Sequence, residues 1–224
     1  MKGAVRLALT AFVALASTWA RADSAAEVYK QLGIRVKDVM NSSVATARVL
    51  PGEAKQVVSV ITYLTGKKDE ANALGVRLDV FRREGEKLVP VYTLDAAQDN
   101  AGPVGRGEVA LLDLDGDGVN EIGLYYDNLK NGLIQDRRLD VILYDGTAFR
   151  VAWNGSVSYD ATKAVREVPV DRRDRYLRKL DFPNTRRTKG LTLYMNKTMI
   201  AVAGERLPQP KQVQETFSLK SDTP

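Results

Sequence analysis

From residue 43 onward the apolar residues recur at every second position, and that alternation limits the fold more than any other feature of the chain. A period of two sends successive side chains to opposite faces of an extended backbone, so each such run reads as a strand. The runs are 44–50, 57–65, 75–83, 87–94, 107–113, 121–127, 138–145, 148–154, 191–195 and 198–204. Turn-forming pairs such as Pro51-Gly52, Glu84-Gly85, Asp145-Gly146 and Asn196-Lys197 separate them. Most neighbouring runs lie too close in sequence for a crossover helix, so the pairing is antiparallel. The segment 24–40, by contrast, has helical spacing, with Val28, Leu32, Val36 and Val39 on one side, Ser24 placed to cap it and Gly33 placed to end it. The expected fold class is all-β, mainly antiparallel, with a short N-terminal helix.

The strands repeat. Arg77-Leu78-Asp79-Val80, a turn at Gly85 and the run Leu88–Tyr92 match Arg138-Leu139-Asp140-Val141, a turn at Gly146 and the run Phe149–Trp153. A weaker third copy runs from Leu191 to Met195, turns at Asn196 and returns from Met199 to Ala203. A repeat of this size is one propeller blade or one four-stranded unit, and two or three copies are too few to close a propeller. Blade-like repeats in an open array or a β-sandwich are the architectures left.

The N-terminus reads as a secretory signal peptide over residues 1–22. Lys2 and Arg6 form a basic start, Leu7–Ala20 is mostly apolar, and Ala20-Arg21-Ala22 supplies small residues at a cleavage site. The apolar run is short of a membrane span and is broken by Thr10, Ser17 and Thr18. The expected division is therefore a leader at 1–22, a single β-rich domain with internal repeats at 23–204 and a C-terminal tail at 205–224 that frays or wraps the surface. Of the 33 basic side chains, Lys2, Arg6 and Arg21 leave with the leader, against 28 acids, so the net charge falls from +5 to +2. The pI of 9.3 belongs to the precursor. A near-neutral mature chain offers no general attraction to nucleic acid. The chain has no cysteine and no histidine. An exported chain of this length without cysteine points to the bacterial periplasm or the cell exterior. The two absences also remove the usual zinc sites, Ser-His-Asp triads and imidazole acid–base chemistry.

One segment carries chemistry on its face: Asp113-Leu114-Asp115-Gly116-Asp117-Gly118-Val119-Asn120-Glu121. Calcium takes six to eight oxygen ligands. Carboxylates at loop positions one, three, five and nine (Asp113, Asp115, Asp117 and Glu121) with the main chain of Val119 at position seven would supply most of them. Gly118 stands where the chain must turn sharply, and four carboxylates this close repel one another unless a divalent cation neutralises them. An EF-hand is ruled out because its twelfth loop position, a bidentate carboxylate, is here Leu124, and because strand-like sequence flanks the loop on both sides.

The stretch Leu112–Ile122 resembles the calcium loop of the integrin-like FG-GAP or VCBS repeat families, in which an Asp-rich loop joins two strands of a β-blade. The resemblance covers these residues alone, with no Phe-Gly-Gly-Ala-Pro element. The corresponding place in the first repeat, Pro51-Gly52-Glu53-Ala54-Lys55, lacks the ligands. The resemblance implies a structural Ca2+ with no position open for catalysis.

A second segment is strongly basic: Arg172, Arg173, Arg175, Arg178, Lys179, Arg186, Arg187 and Lys189, offset by Asp171, Asp174 and Asp181. Tyr176, Leu177 and Leu180 read as the apolar stripe of a short helix. Its functional reading is a grip on anionic headgroups or polymers; its plainer reading is a solvated face of exposed arginines. Tyr125, Tyr126, Tyr144 and Trp153 fall in strand runs and are expected in the core. Three function classes follow. The first is a non-enzymatic, calcium-stabilised domain of the bacterial envelope that binds an envelope or extracellular protein or glycan, with no transmembrane segment after cleavage. The second is a carboxylate-dependent hydrolase of polysaccharide or phosphoester. The third is a binder of anionic surfaces through 172–189.

Overall fold

The structure is a computed structural model that describes residues 23–64, 74–96, 104–128, 133–181 and 192–219. The leader 1–22 lies outside them. The helix α1 (Asp23–Leu32) is followed by a 3-10 turn at Val36–Asp38 and eleven strands. These are β1 (Val39–Ala47), β2 (Gln56–Leu64), β3 (Leu74–Glu84), β4 (Lys87–Asp95), β5 (Val104–Leu112), β6 (Glu121–Asn128), β7 (Gln135–Tyr144), β8 (Phe149–Asp160), β9 (Arg175–Asp181), β10 (Thr192–Val202) and β11 (Glu205–Ser218). Within each sheet every pair is antiparallel and joins strands adjacent in sequence: β1-β2-β3-β4 in one, β5 through β11 in the other. The chain is thus all-β apart from α1 and short 3-10 turns, in open sheets. Among the described residues no helix is long and apolar enough to cross a membrane.

The core is layered. Val58, Val60, Val76, Leu78 and Val80 from the first sheet pack on Ile122, Leu124, Tyr126 and Ile142 from the second. The outer face of the first sheet presents Val57, Ile61, Phe81 and Leu88, which Val28, Tyr29 and Leu32 of α1 cover. The far face of β7, bearing Leu139, Val141 and Leu143, is covered by Leu193, Met195, Leu180, Phe217 and Leu219 from β9–β11 and its extension. That requires the second sheet to bend back on itself. Only three residue pairs join β8 to β9, at Ser158–Asp160, and the rings of Trp153 on β8 and Phe217 on β11 come within 5.3 Å although two strands lie between them. Strands only about 5 Å apart would place those rings far out of reach in a flat sheet.

The repeat in the sequence is a repeat in the structure. Each Arg-Leu-Asp-Val occupies the third strand of a four-stranded meander, β1–β4 and β5–β8. Asp79 pairs across to Thr93 and Asp140 pairs across to Asn154, the same position in each unit. The units stack head to tail: Asp79 and Phe81 lie on the outer face of the first, whereas Asp140 and Ile142, their equivalents, lie on the face of the second that meets the first. This is how blades stack, and β9–β11 add a third, three-stranded layer.

Four expectations are corrected. The weak third copy does not exist: 191–203 holds no turn at Asn196, because β10 runs through it with β9 and β11 paired on either side. Residues 175–181 form a strand, not a helix. Residues 205–218 of the supposed tail form the longest strand of the molecule among the described residues, tolerating Pro208 and Pro210 because β11 is an edge. Arg178 is not exposed: its side chain is 14 % accessible.

Candidate functional site

The Asp-rich loop joins β5 to β6, and the pair Leu112–Glu121 closes its base. Gly116 and Gly118 sit at φ of 74° and 82°, the left-handed region that side chains avoid, with open space where a Cβ would stand. Backbone conformation, not crowding, therefore requires glycine there. The turns face alternate side chains inward: Asp113, Asp115 and Asp117 each bring a carboxylate oxygen within 4.8 Å of the others. The Asp117 N–H donates to Asp115 Oδ1 at 3.2 Å and the Val119 N–H donates to Asp117 Oδ1 at 2.7 Å, which fixes those carboxylates in the loop. Burial pushes the Asp115 carboxyl up, with the Asp117 and Asp113 charges adding to it.

Glu121 stands apart from this trio. It is buried at the head of β6 and its Oε2 accepts the Leu114 N–H at 2.8 Å, bracing the loop from below. Burial pushes its carboxyl up to about 7, against the pull of the Leu114 N–H. The loop is tied down at both ends. Leu114 packs into the core under β9–β11. On the other side the Asn120 N–H and Nδ2 both donate to the Arg48 carbonyl, at 2.7 and 3.2 Å. Arg48 begins the connection 48–55 between β1 and β2, the structural counterpart of the Asp-rich loop in the first unit. An all-oxygen donor set in a braced loop suits a hard cation such as calcium, with Asp113, Asp115 and Asp117 as its inner acids.

The basic segment does not converge on one surface. Arg172 and Lys179 are exposed, and Arg175 pairs with Asp160 at 3.3 Å. Arg173 turns inward, donating to the carbonyls of Val168 and Val165. Arg178 donates to Glu215 at 2.6 Å and to the Ser156 carbonyl at 2.7 Å, and stacks over Tyr176 at 4.7 Å. Arg186, Arg187 and Lys189 lie outside the described residues.

The repeated aspartates are closed to solvent. Asp79 accepts a forked pair of bonds from Arg77 and one from Thr93 at 2.7 Å, and Asp140 accepts from Tyr126 at 3.3 Å and from Asn154. Tyr126 is fully buried and Trp153 packs on Phe217, as core residues do. Tyr144 is different. It lies half-buried beside Phe149 at the mouth of a cleft of 330 Å³, which its place in a strand run did not foretell. A larger cleft of 720 Å³ lies at the other end of the sandwich, between Asn41 on β1 and Arg106 on β5, and among the described residues no aromatic side chain lines it.

Comparison with protein-family models, curated proteins and solved structures returned no match.

Proposed function

We propose that this chain is a calcium-stabilised, non-enzymatic β domain of an exported bacterial envelope protein, which serves by binding a partner. The observation that carries it is the convergence of Asp113, Asp115 and Asp117 within 4.8 Å in a loop braced by Leu114 and Asn120. Three like charges so placed need a cation, a proton or an open loop, and the bracing opposes opening. Calcium there is structural: it joins β5 to β6 and, through Asn120, the second unit to the first. The layered, blade-like stack and the position of the loop between two strands support the FG-GAP or VCBS resemblance. The basic start, apolar run and Ala20-Arg21-Ala22 of the leader support a place in the periplasm or outside the cell. The reading as an anionic-surface binder loses Arg173 and Arg178, which are engaged internally.

The test is calorimetry of the purified protein with calcium and with chelator. Binding to the folded state alone stabilises by mass action, about 2.7 kcal/mol at a free concentration a hundredfold above Kd. Chelator is expected to lower the melting temperature, millimolar calcium to restore it, and magnesium to substitute poorly because it demands a tight octahedron. Asp115→Ala is expected to abolish the response while the domain stays folded, and Asp79→Ala to keep it. Coincident melting curves in calcium and chelator would refute the reading.

A further inference from the structure

A cleft of 330 Å³ opens at the end of the sandwich where the Asp-rich loop sits, and the calcium loop makes no use of it. Its floor is aromatic. Tyr92 on β4 and Tyr144 on β7 flank Phe149 on β8, with centroids 5.1 and 5.3 Å from it. Pro51 and the Glu53–Arg82 pair form the facing wall. Glu53 and Arg82 meet fork to fork, with contacts of 2.6 and 2.9 Å.

Both walls are preorganised. On one side the turn after β7 is locked by Asp145, whose Oδ1 accepts from the Thr147 N–H at 2.8 Å, the Thr147 hydroxyl at 2.7 Å and the Ala148 N–H at 2.9 Å. On the other, the connection 48–55 is held by Gln56, a fully buried side chain. Its Oε1 accepts from the N–H groups of Val49 and Leu50 at 3.0 and 3.2 Å, and its Nε2 donates to Glu53 at 3.3 Å. A site whose walls are fixed before the ligand arrives loses little freedom on binding.

The chemistry of the cleft selects its ligand. Its acid and its base neutralise each other, so it offers no net attraction to an ion. It joins flat aromatic rings to a planar array that both accepts and donates hydrogen bonds. A pyranose with equatorial hydroxyls matches that pairing: its C–H faces are flat and apolar, and its rim of hydroxyls donates to Glu53 and accepts from Arg82. The volume is at the small end of ligand sites, room for a sugar or two of a chain and not for a large cofactor.

We propose that this cleft binds a neutral, β-linked glycan, its rings stacked on Tyr144 and Tyr92 and its hydroxyls held by Glu53 and Arg82, and that the Asp-rich loop sets the cleft's shape through the connection 48–55. This rests on the reading above and names the partner. The line of coupling is continuous: Asn120 holds the Arg48 carbonyl, the next two N–H groups hang on Gln56, and Gln56 holds Glu53, which holds Arg82. With calcium in place the loop keeps Asn120 on Arg48. Without it that hold slackens and the Pro51–Glu53 wall drifts.

The experiment is an amide NMR titration of the purified protein in calcium with cellotriose, triacetylchitotriose and maltotriose. Cellotriose or triacetylchitotriose is expected to shift the signals of Glu53, Thr147 and Ala148, with the bent, α-linked maltotriose weaker. Tyr144→Ala is expected to weaken binding by about tenfold, the loss of one ring contact, without moving the melting temperature by more than a few degrees, and Tyr144→Phe to keep most of it. Chelator is expected to weaken the same titration. The proposal falls if neither β-linked sugar shifts these signals at millimolar concentrations, if Tyr144→Ala binds as the parent does, or if a proline-rich peptide takes the cleft in their place. Equal sugar affinity in calcium and chelator removes the coupling. The melting experiment keeps the two readings apart: a calcium response with no sugar binding sinks this inference alone, and sugar binding by a protein indifferent to calcium sinks the calcium reading and with it the coupling, leaving the glycan site standing.

Discussion

Asp145 shows how much one side chain holds at the residue scale. Its bonds to Thr147 and Ala148, with Arg150 beside it, bring its carboxyl down to about 2. A carboxyl lowered on folding favours the folded state only when it is ionised. Its contribution is therefore present above the ordinary aspartate range and is lost as pH falls from about 4 toward 2. Asp145→Ala is expected to be less stable at neutral pH and to lose less stability across that interval, measured by urea unfolding at a series of pH values. Asp79 and Asp140 work in the dark by comparison. Each is buried and satisfied by a neighbour on the next strand, so Asp79→Ala strands Arg77 and Thr93 and is expected to cost about 3 kcal/mol by the same measurement. The sequence showed each aspartate two residues after an arginine, and the Arg77–Asp79 pair was legible in that spacing. Their partners Thr93, Tyr126 and Asn154 were not, because a cross-strand neighbour is set by register, which no local pattern specifies.

At the scale of elements, the sequence and the structure agree where alternation is clean and part where it is inverted. β2 and β3 carry apolar side chains on the faces they bury, and both were read to within a residue or so of their ends. In β9 the pattern runs the wrong way: Leu177 is exposed while Arg178 points inward over Tyr176. A charged residue on the inner face and an apolar one outside read as a helix or a solvated segment, until Glu215, a long way off in sequence, supplies the counter-charge. β11 was hidden by Pro208 and Pro210, which forbid a central strand and permit an edge. The convergence of Asp113, Asp115 and Asp117 in a loop between two strands was legible because their spacing is local; the aromatic cleft was not, because its walls come from both sheets. Arg178→Gln is expected to destabilise by about 1–3 kcal/mol, since Glu215 keeps only Lys197 at 3.7 Å, whereas Arg172→Gln, on the surface, is expected to fall within about 0.5 kcal/mol of the parent; thermal unfolding distinguishes them.

At the scale of the whole molecule, layers stacked head to tail present unlike surfaces at their two ends, and each end needs its own cover. The first layer is covered by α1, with Val28 fully buried on Val57, Ile61 and Phe81. The last layer goes without, for its outer positions are mostly polar, with Lys179, Asn196, Gln212, Gln214 and Thr216 beside the exposed Leu177. Removing residues 23–35 is expected to lay bare the apolar outer face of the first sheet and to drive concentration-dependent association, read by sedimentation, with the calcium response intact. The order of the strands has a further consequence for how such a chain comes into being. Because each hydrogen-bonded partner is the strand just before or just after it, no strand must wait for a distant one to be made. Each hairpin can zip on the microsecond scale as soon as its second arm leaves the ribosome or a translocation pore, and the stack grows in the order in which the chain arrives.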